Sequence, residues 1–318
     1  MRESKYFDVI IGGAGIAGLL IASELSKTKR VLIFDAANSL QTNKFWVTLK
    51  SCADSNPHLH ACTDSFFKNM DFSDAYRNQF RLNGQYVLWD TMRLMEFLKK
   101  TILENQGSIQ FGQKFCGYRL KNDAIEIFAN DQILTAQLFI DCMGHTSPLV
   151  LAKNLIQFHG HYLLYGGKLA LSKPIDPICL SNVVIGNKPK YFEVFPTVNG
   201  DAYATMIYPT QNIGDMNSLA ADFKFITQKS AYAEYFEHRS PISKLWGIVP
   251  VGSIRRKALD RILFFGESAQ SNPAATGTCL TRLFFSYQAT TNLDECVWQN
   301  GVSLLIRNQA ECYKTGIN

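Results

Sequence analysis

Asp8–Val9–Ile10–Ile11–Gly12–Gly13–Ala14–Gly15–Ile16–Ala17–Gly18–Leu19 decides how this chain is read. An apolar run leads into Gly13-x-Gly15-x-x-Gly18. A helix-forming run, Leu19 to Leu25, follows, and the next apolar run, Val31–Leu32–Ile33–Phe34, ends in Asp35. Strand, glycine turn, helix, strand and acid together form the context of a dinucleotide fingerprint. Gly13 serves the tight turn, Gly15 lets the backbone approach a pyrophosphate, and Gly18 lets the helix pack closely on the strand. The helix N-terminus offers N–H groups and the positive end of its dipole to phosphate. Asp35 comes 17 residues after Gly18, where a carboxylate accepts bonds from ribose hydroxyls.

Bulk properties narrow the class. The 318 residues suffice for one large core or two domains, and 47% apolar with 19% charged residues describes a globular chain. The net charge of +5 comes without Lys/Arg runs, so no nucleic-acid partner is expected. Cysteines stand at 52, 62, 116, 142, 179, 279, 296 and 312 with no CxxC pair. The start is short and polar up to Tyr6, without the apolar region of a secretory signal. The expectation is reduced thiols and a cytoplasmic location. No run of 18 apolar residues is present, so no transmembrane segment is expected.

Along the chain, 7–36 reads as a βαβ unit and 38–85 as a loop-rich insertion. Val87 to Leu103 reads as a helix, because Leu88, Met92, Met95 and Leu98 fall near the 3.6 period and Asp90 suits a cap. Short strands are predicted at Ile109–Phe111, Gly117–Leu120, Ala124–Ala129 and Gln132–Leu138, with a buried strand ending in Asp141–Cys142–Met143–Gly144. Residues 155–210 alternate apolar and polar with turns at Lys173–Pro174, Gly186–Asn187 and Asn199–Gly200, which predicts an antiparallel sheet. Its best hairpin pairs Tyr191–Phe195 with Ala202–Tyr208. A helix is predicted over 217–240, a buried strand over Arg261–Phe265, and a helix from Thr278 to Thr290.

Three apolar strands therefore end in small or acidic residues, at Gly12, at Asp141–Gly144 and at Gly266–Glu267–Ser268–Ala269. With Pro273, Thr276 and Gly277 following the last, these segments resemble the FAD-binding signatures of the para-hydroxybenzoate hydroxylase and geranylgeranyl reductase superfamily, which includes aromatic monooxygenases, flavin halogenases and lycopene cyclases. Pro273 and Gly277 follow Gly266 by seven and eleven residues, as in that family's third motif. The resemblance implies a Rossmann-like, glutathione-reductase-type FAD-binding domain with an inserted antiparallel-β substrate domain. It also implies FAD contacts at Gly13, Ala14, Gly15, Ala17, Gly18, Asp35, Phe115, Asp141, Gly144, Gly266, Glu267, Pro273, Thr276 and Gly277. The chain departs from the family in having Glu267 for the ribityl-binding Asp and Cys279 for the second late glycine.

Tyr191–Phe192–Glu193–Val194–Phe195–Pro196 resembles the strand that ends in a proline beside the flavin in this superfamily, and Phe45–Trp46 resembles its aromatic segment after the second strand. These imply a substrate site at Phe45, Trp46, Glu193, Phe195 and Pro196. The residues alone read more plainly: a lone Glu on a strand usually lies on the solvated face, and Phe45 and Trp46 suit a core equally well. His58-x-His60 and His159-x-His161 lack nearby Cys or acid ligands, so no metal is expected. His145 and Cys142 read as structural, Arg255–Arg256 as exposed, and no nucleophile elbow or Ser/His/Asp order is present. No catalytic side chain is assigned, which suits chemistry carried by a cofactor.

The expected boundaries are 1–50, 86–153 and 245–318 for the FAD domain and 51–85 with 154–244 for the substrate domain. The expected activity is a monooxygenase-type oxidoreductase that uses NADH or NADPH transiently and O2 on an apolar or aromatic small molecule. Two alternatives stand beside it: a lycopene-cyclase- or geranylgeranyl-reductase-like enzyme using reduced FAD on a prenyl-type substrate, and a non-catalytic flavin-fold binding protein. About 40 residues follow Gly277, where many superfamily members carry a further helical cap. The expectation is an open cavity, or one closed by a second copy or a partner protein.

Overall fold

The computed structural model describes residues 6–73, 78–185, 188–211, 216–237, 241–269 and 279–291. The first layer is laid down by β1 (Tyr6–Gly12), α1 (Ile16–Leu25) and β2 (Val31–Phe34). Val9, Ile10, Ile11 and all of Val31–Ile33 are fully buried. Parallel strands covered on both faces carry such unbroken apolar runs.

The chain then leaves this layer through β3 (Trp46–Leu49), α2 (Lys50–Asp54), β4 (Thr63–Ser73) and β5 (Gln79–Trp89). It returns through α3 (Thr91–Glu104), β6 (Gly107–Gln110), β7 (Phe115–Leu120), β8 (Ile125–Ala129), β9 (Gln132–Asp141) and the short α4 (Pro148–Ala152). A second excursion comprises β10 (Ile156–Ala170), β11 (Ile178–Ile185), β12 (Lys188–Pro196), β13 (Asp201–Thr210), α5 (Met216–Gln228) and β14 (Ser243–Ile254). The described chain finishes with β15 (Ala258–Leu259), β16 (Ile262–Phe264) and α6 (Cys279–Thr291).

Two eight-stranded sheets result. The first runs β15-β16-β9-β1-β2-β6, with β8 on β9 and β7 on β8. Its strands β16, β9, β1, β2 and β6 are parallel in sequence. Gly12, Asp141 and Phe264 therefore finish at one edge, the carboxyl edge where such sheets bind ligands. The second runs β14-β10-β13-β12-β11-β4-β5-β3 and is antiparallel except where β11 meets β4. Phe192 and Val194 of β12 and Ala202, Ala204 and Met206 of β13 bury one face of it against Leu219, Phe223 and Ile226 of α5. The predicted hairpin is observed, with Phe195 opposite Tyr203 and Glu193 opposite Thr205.

The structure revises three sequence expectations. The helix expected from Val87 begins at Thr91, because Asp90 caps it by accepting from Arg93 N–H at 3.0 Å. Val87, Leu88 and Trp89 instead finish β5, and the Trp89 indole N–H donates to Thr48 Oγ1 at 2.9 Å. The loop-rich insertion of 38–85 instead holds β3, α2 and most of a long antiparallel strand pair, β4 with β5. Residues 46–49, 86–89 and 245–254, expected in the first domain, pair in the second sheet. β14 pairs with β10 along almost its whole length, and the chain crosses back only after Ile254, where Arg255 N–H donates to Leu155 C=O at 2.8 Å.

Candidate functional site

The three strand ends interlock. Gly13 has φ +101°, and a Cβ there would lie 2.4 Å from the Cys142 carbonyl oxygen. Gly266 has φ +71°, and a Cβ there would lie 2.6 Å from the Ala17 Cβ. Only glycine adopts this backbone readily and tolerates these approaches. Gly18 sits beneath the Gly13 carbonyl, 2.0 Å from where its Cβ would be, whereas a Cβ on Gly15 would meet nothing within 4 Å. The turn is thus closed on its inner side and open over Gly15. Gly15 also caps α1 without any side-chain hydrogen bond, and the first turn holds no acid. An uncapped helix start beside an open glycine is the ordinary seat of a phosphate.

Asp35 closes the far side of this turn. Its Oδ2 accepts from Ala14 N–H and its Oδ1 from Ala37 N–H, each at 2.7 Å. A carboxylate has about four acceptor sites, so both oxygens retain capacity for a further donor.

Asp141, which the resemblance places at the cofactor, is fully buried. It accepts from Ser147 Oγ, from Ser268 Oγ at 2.9 Å and from Met143 N–H at 2.9 Å. Burial pushes its pKa up while these three donors pull it down, with burial the larger effect. Ser268 Oγ also lies 3.0 Å from the Gly144 carbonyl. Asp141 is therefore a positioning residue that fixes the loops after β9 and β16 to each other.

Those loops present Glu267. Its Oε1 lies 3.5 Å from Lys44 Nζ and its Oε2 3.5 Å from His145 Nδ1, and a Cβ on Gly144 would stand 3.6 Å from Oε2. Burial alone would raise the Glu267 pKa. The His145 hydrogen bond and the Lys44 charge outweigh it and hold the carboxyl below its usual value. Lys44 escaped the sequence reading because 222 other residues separate it from Glu267.

The second sheet faces the site from the other side. The Phe45 ring stacks on Tyr203 at 4.9 Å and 8°, and lies 5.8 Å from Phe195. Phe195, Glu193 and Tyr203 share the face turned away from α5, since Phe192 and Val194 occupy the other. Glu193, expected on a solvated face, is partly buried there. Burial pushes its carboxyl up to about 7, against an opposing hydrogen bond from Cys179 Sγ at 3.9 Å. Burial likewise drives the Cys179 thiol upward. Tyr203 and Cys179 are signalled in sequence only through hairpin register.

Other candidates are placed as follows. Trp46 packs against the core under β1 and lies opposite Trp89, and Pro196 closes β12 opposite Ala202. The Phe115 side chain is in the core, 5.8 Å from the Phe139 ring. Cys142 is buried with its thiol pushed well up, in keeping with its structural reading. Arg255 and Arg256 are exposed. Among the described residues no group of three His, Cys, Asp or Glu is arranged to hold a metal, and no helix is long and apolar enough to cross a membrane. Pro273, Thr276 and Gly277 lie outside the described residues.

No protein-family model matches the chain, and no curated protein matches it in sequence. Solved structures do match in shape. A geranylgeranyl bacteriochlorophyll reductase-like protein from Thermoplasma acidophilum is 15% identical with a TM-score of 0.77, over 98% of this chain and 84% of that one. The p-nitrophenol 4-monooxygenase of Pseudomonas putida is 11% identical with a TM-score of 0.76, over 95% and 83%. A halogenase solved with phloroglucinol and FAD is 16% identical with a TM-score of 0.69, over 90% and 68%. At these identities the likeness establishes the fold: a Rossmann-type α/β layer joined to a mainly antiparallel sheet.

Proposed function

We propose that this chain is an FAD-dependent oxidoreductase of monooxygenase type, acting on an apolar or aromatic small molecule with NADH or NADPH as reductant. The observation that carries the reading is the convergence of three strand ends on one open glycine turn. The fold likeness to a halogenase solved with FAD supports it.

The residues present fit FAD. Gly13, Ala14, Gly15, Ala17 and Gly18 with the start of α1 would receive the pyrophosphate, and Asp35 a ribose hydroxyl. Glu267 and Gly144 would line the ribityl chain, with Pro273, Thr276 and Gly277 completing the site. FAD would supply electron transfer from the reductant and the activation of O2; overall, the substrate gains one oxygen atom and the other leaves as water. The protein's share is binding, orientation and exclusion of water. Phe45, Phe195 and Tyr203 would hold the ring of a substrate, and the charges at Glu267 would keep the polar side of the site separate from that aromatic face.

The wide coverage shared with the geranylgeranyl reductase-like structure favours a second reading, reduction or cyclisation of a prenyl-type substrate by reduced FAD. One experiment addresses both. The purified chain is titrated with FAD, and its visible spectrum is followed with NADPH under nitrogen and then in air. Bound flavin that bleaches and recovers at a substrate-dependent rate supports the monooxygenase reading. Product formed under nitrogen from reduced flavin supports the second. A chain that never binds FAD overturns both and leaves a flavin-fold binding protein. The location proposed is the cytoplasm.

A further inference from the structure

One row across the second sheet combines features that packing alone does not explain. From strand to strand it runs Phe72, Cys179, Glu193, Thr205 and Gly166. Directly opposed residues in such a sheet have Cβ atoms about 5 Å apart, so the Glu193 and Thr205 side chains leave neighbouring positions on the face turned away from α5. Thr205 is 2% exposed, and its Oγ1 has no hydrogen-bond partner among the described residues. A Cβ on Gly166 would lie 2.8 Å from Thr205 Cγ2, so the threonine keeps its place only because its other neighbour is glycine. A buried hydroxyl with no partner is a cost that a valine of the same shape would avoid.

Glu193 is similarly underused. Its one recorded polar contact is the weak donor Cys179. Two cations beside this face are engaged elsewhere: Lys168 pairs with Asp201 at 3.1 Å, and Lys44 with Glu267. Other titratable groups on or beside this face include Tyr191, Tyr203, Tyr162, on which Tyr191 acts, and Asp64, which acts on Tyr203. No charged group contributes to the upward shift of the Glu193 carboxyl. Below neutral pH it is a neutral acid and hence an O–H donor. Phe45, Phe195 and Tyr203 border the pair on the same face.

We infer that Glu193 and Thr205 form a recognition pair whose two hydroxyl protons converge on one carbonyl oxygen of a neutral aromatic ketone or quinone. A carbonyl oxygen has two lone pairs for two donors, and the flanking rings match an aromatic body. The inference rests on the reading of this face as the substrate side, and it narrows the substrate class to molecules with an acceptor oxygen on a flat apolar frame.

The test is calorimetric binding to the full chain, with and without FAD, at pH 6 and pH 8.5. The probes are matched pairs: acetophenone with ethylbenzene, 1-acetonaphthone with 1-ethylnaphthalene, and 2-acetylanthracene with 2-ethylanthracene. 1-Naphthylmethylamine serves as a cationic control. At pH 6 at least one ketone should bind about tenfold or more tighter than its hydrocarbon twin, the worth of a good hydrogen bond to a buried group. The preference should fall at pH 8.5, vanish in Glu193→Leu and shrink in Thr205→Val. Glu193→Gln keeps an N–H donor and should retain the preference at both pH values. Failure of every ketone to bind, equal affinity within every pair, a preference unchanged in Glu193→Leu, or tighter binding of the amine would each overturn the inference. A parallel FAD titration separates the two readings. Intact FAD binding without ketone preference defeats this inference alone, whereas ketone preference without FAD binding defeats the oxidoreductase reading alone.

Discussion

Lys44 and Phe45 are neighbours in the chain whose side chains reach opposite halves of the molecule. The Lys44 ammonium lies 3.5 Å from Glu267 at the carboxyl edge of the first sheet, and the Phe45 ring stacks at 4.9 Å on Tyr203 of the second. One peptide unit therefore marks the border between the proposed nucleotide side and the proposed substrate side, and the two sides can be probed separately.

Phe45→Ala tests the second side. Loss of the stack should cost about 0.5–1.5 kcal/mol beyond the buried area. Affinity for an aromatic ligand should fall several-fold while the FAD dissociation constant stays within about twofold. Equilibrium titrations of the variant with each ligand read both quantities, and an equal loss for both would show that the two sides are not separable.

Asp35→Ala tests the first. It removes the acceptor for Ala14 and Ala37 N–H together with the proposed ribose contact. FAD affinity should weaken about 10- to 100-fold, as expected for losing a hydrogen bond from a ribose hydroxyl to a charged carboxylate. Fluorescence quenching of FAD on titration measures this, and an unchanged affinity would remove Asp35 from the cofactor site.

Gly266→Ala should be strongly destabilising. The residue is at φ +71°, costing an alanine about 1–2 kcal/mol. The 2.6 Å approach to Ala17 adds overpacking of about 1–3 kcal/mol. Urea unfolding should show the loss, and the double variant Ala17→Gly with Gly266→Ala should recover the packing part but not the backbone part.

The pH dependence of stability should carry an identifiable contribution from Glu193. Its carboxyl stands at about 7 in the folded protein against an ordinary 4.5. The folded state thus holds a proton that the unfolded chain has lost, and this part of the stability is present below pH 4.5 and declines until pH 7. The decline is on the order of 3 kcal/mol at most, at about 1.4 kcal/mol per unit. Glu193→Gln should flatten that slope, so that the variant gains on the parent as pH rises. Glu267, held low by His145 and Lys44, has the opposite sign: its contribution is present above its ordinary value and is lost only as pH falls through the lower folded value. Thermal unfolding from pH 3 to pH 8 separates the two, and parallel curves for parent and Glu193→Gln would refute the assignment.

The first layer was legible in the sequence because its signals are local. The glycine turn, the apolar runs at Val9–Ile11 and Val31–Phe34 and the acid at Asp35 lie within thirty residues and report one βαβ unit. The β4–β5 strand pair was not legible. Its strands leave Phe66, Phe80 and Leu82 exposed and mix Asn and Asp into both faces, which erases the period-2 alternation. The end of β5 was misread because Leu88 happens to share a 3.6-residue phase with Met92 and Met95; only the Asp90 cap separates strand from helix. In the site, the single positions Gly266 and Glu267 were visible, but their partners were not. Ala17, Lys44 and His145 reach them across the fold, and no spacing rule connects residues so far apart. The burial of Asp141 was hidden for a related reason: the serines that satisfy it, Ser147 and Ser268, lie in two different loops.

The second sheet is continuous in outline, yet among the described residues its two contributing segments share strand pairing only between β4 and β11. β11 and β4 are parallel there and share three residue pairs among the described residues, Ile178–Asp71, Cys179–Phe72 and Leu180–Ser73. Every other neighbouring pair in that sheet is antiparallel, and β10 with β13 holds ten. Parallel ladders are slightly weaker per residue, so this short seam is expected to open before the long ladder of β10 and β13. Amide hydrogens of 178–180 should exchange with solvent well before those of β10 and β13. The seam adjoins Glu193 through Cys179, so its opening would admit solvent to that half-buried acid.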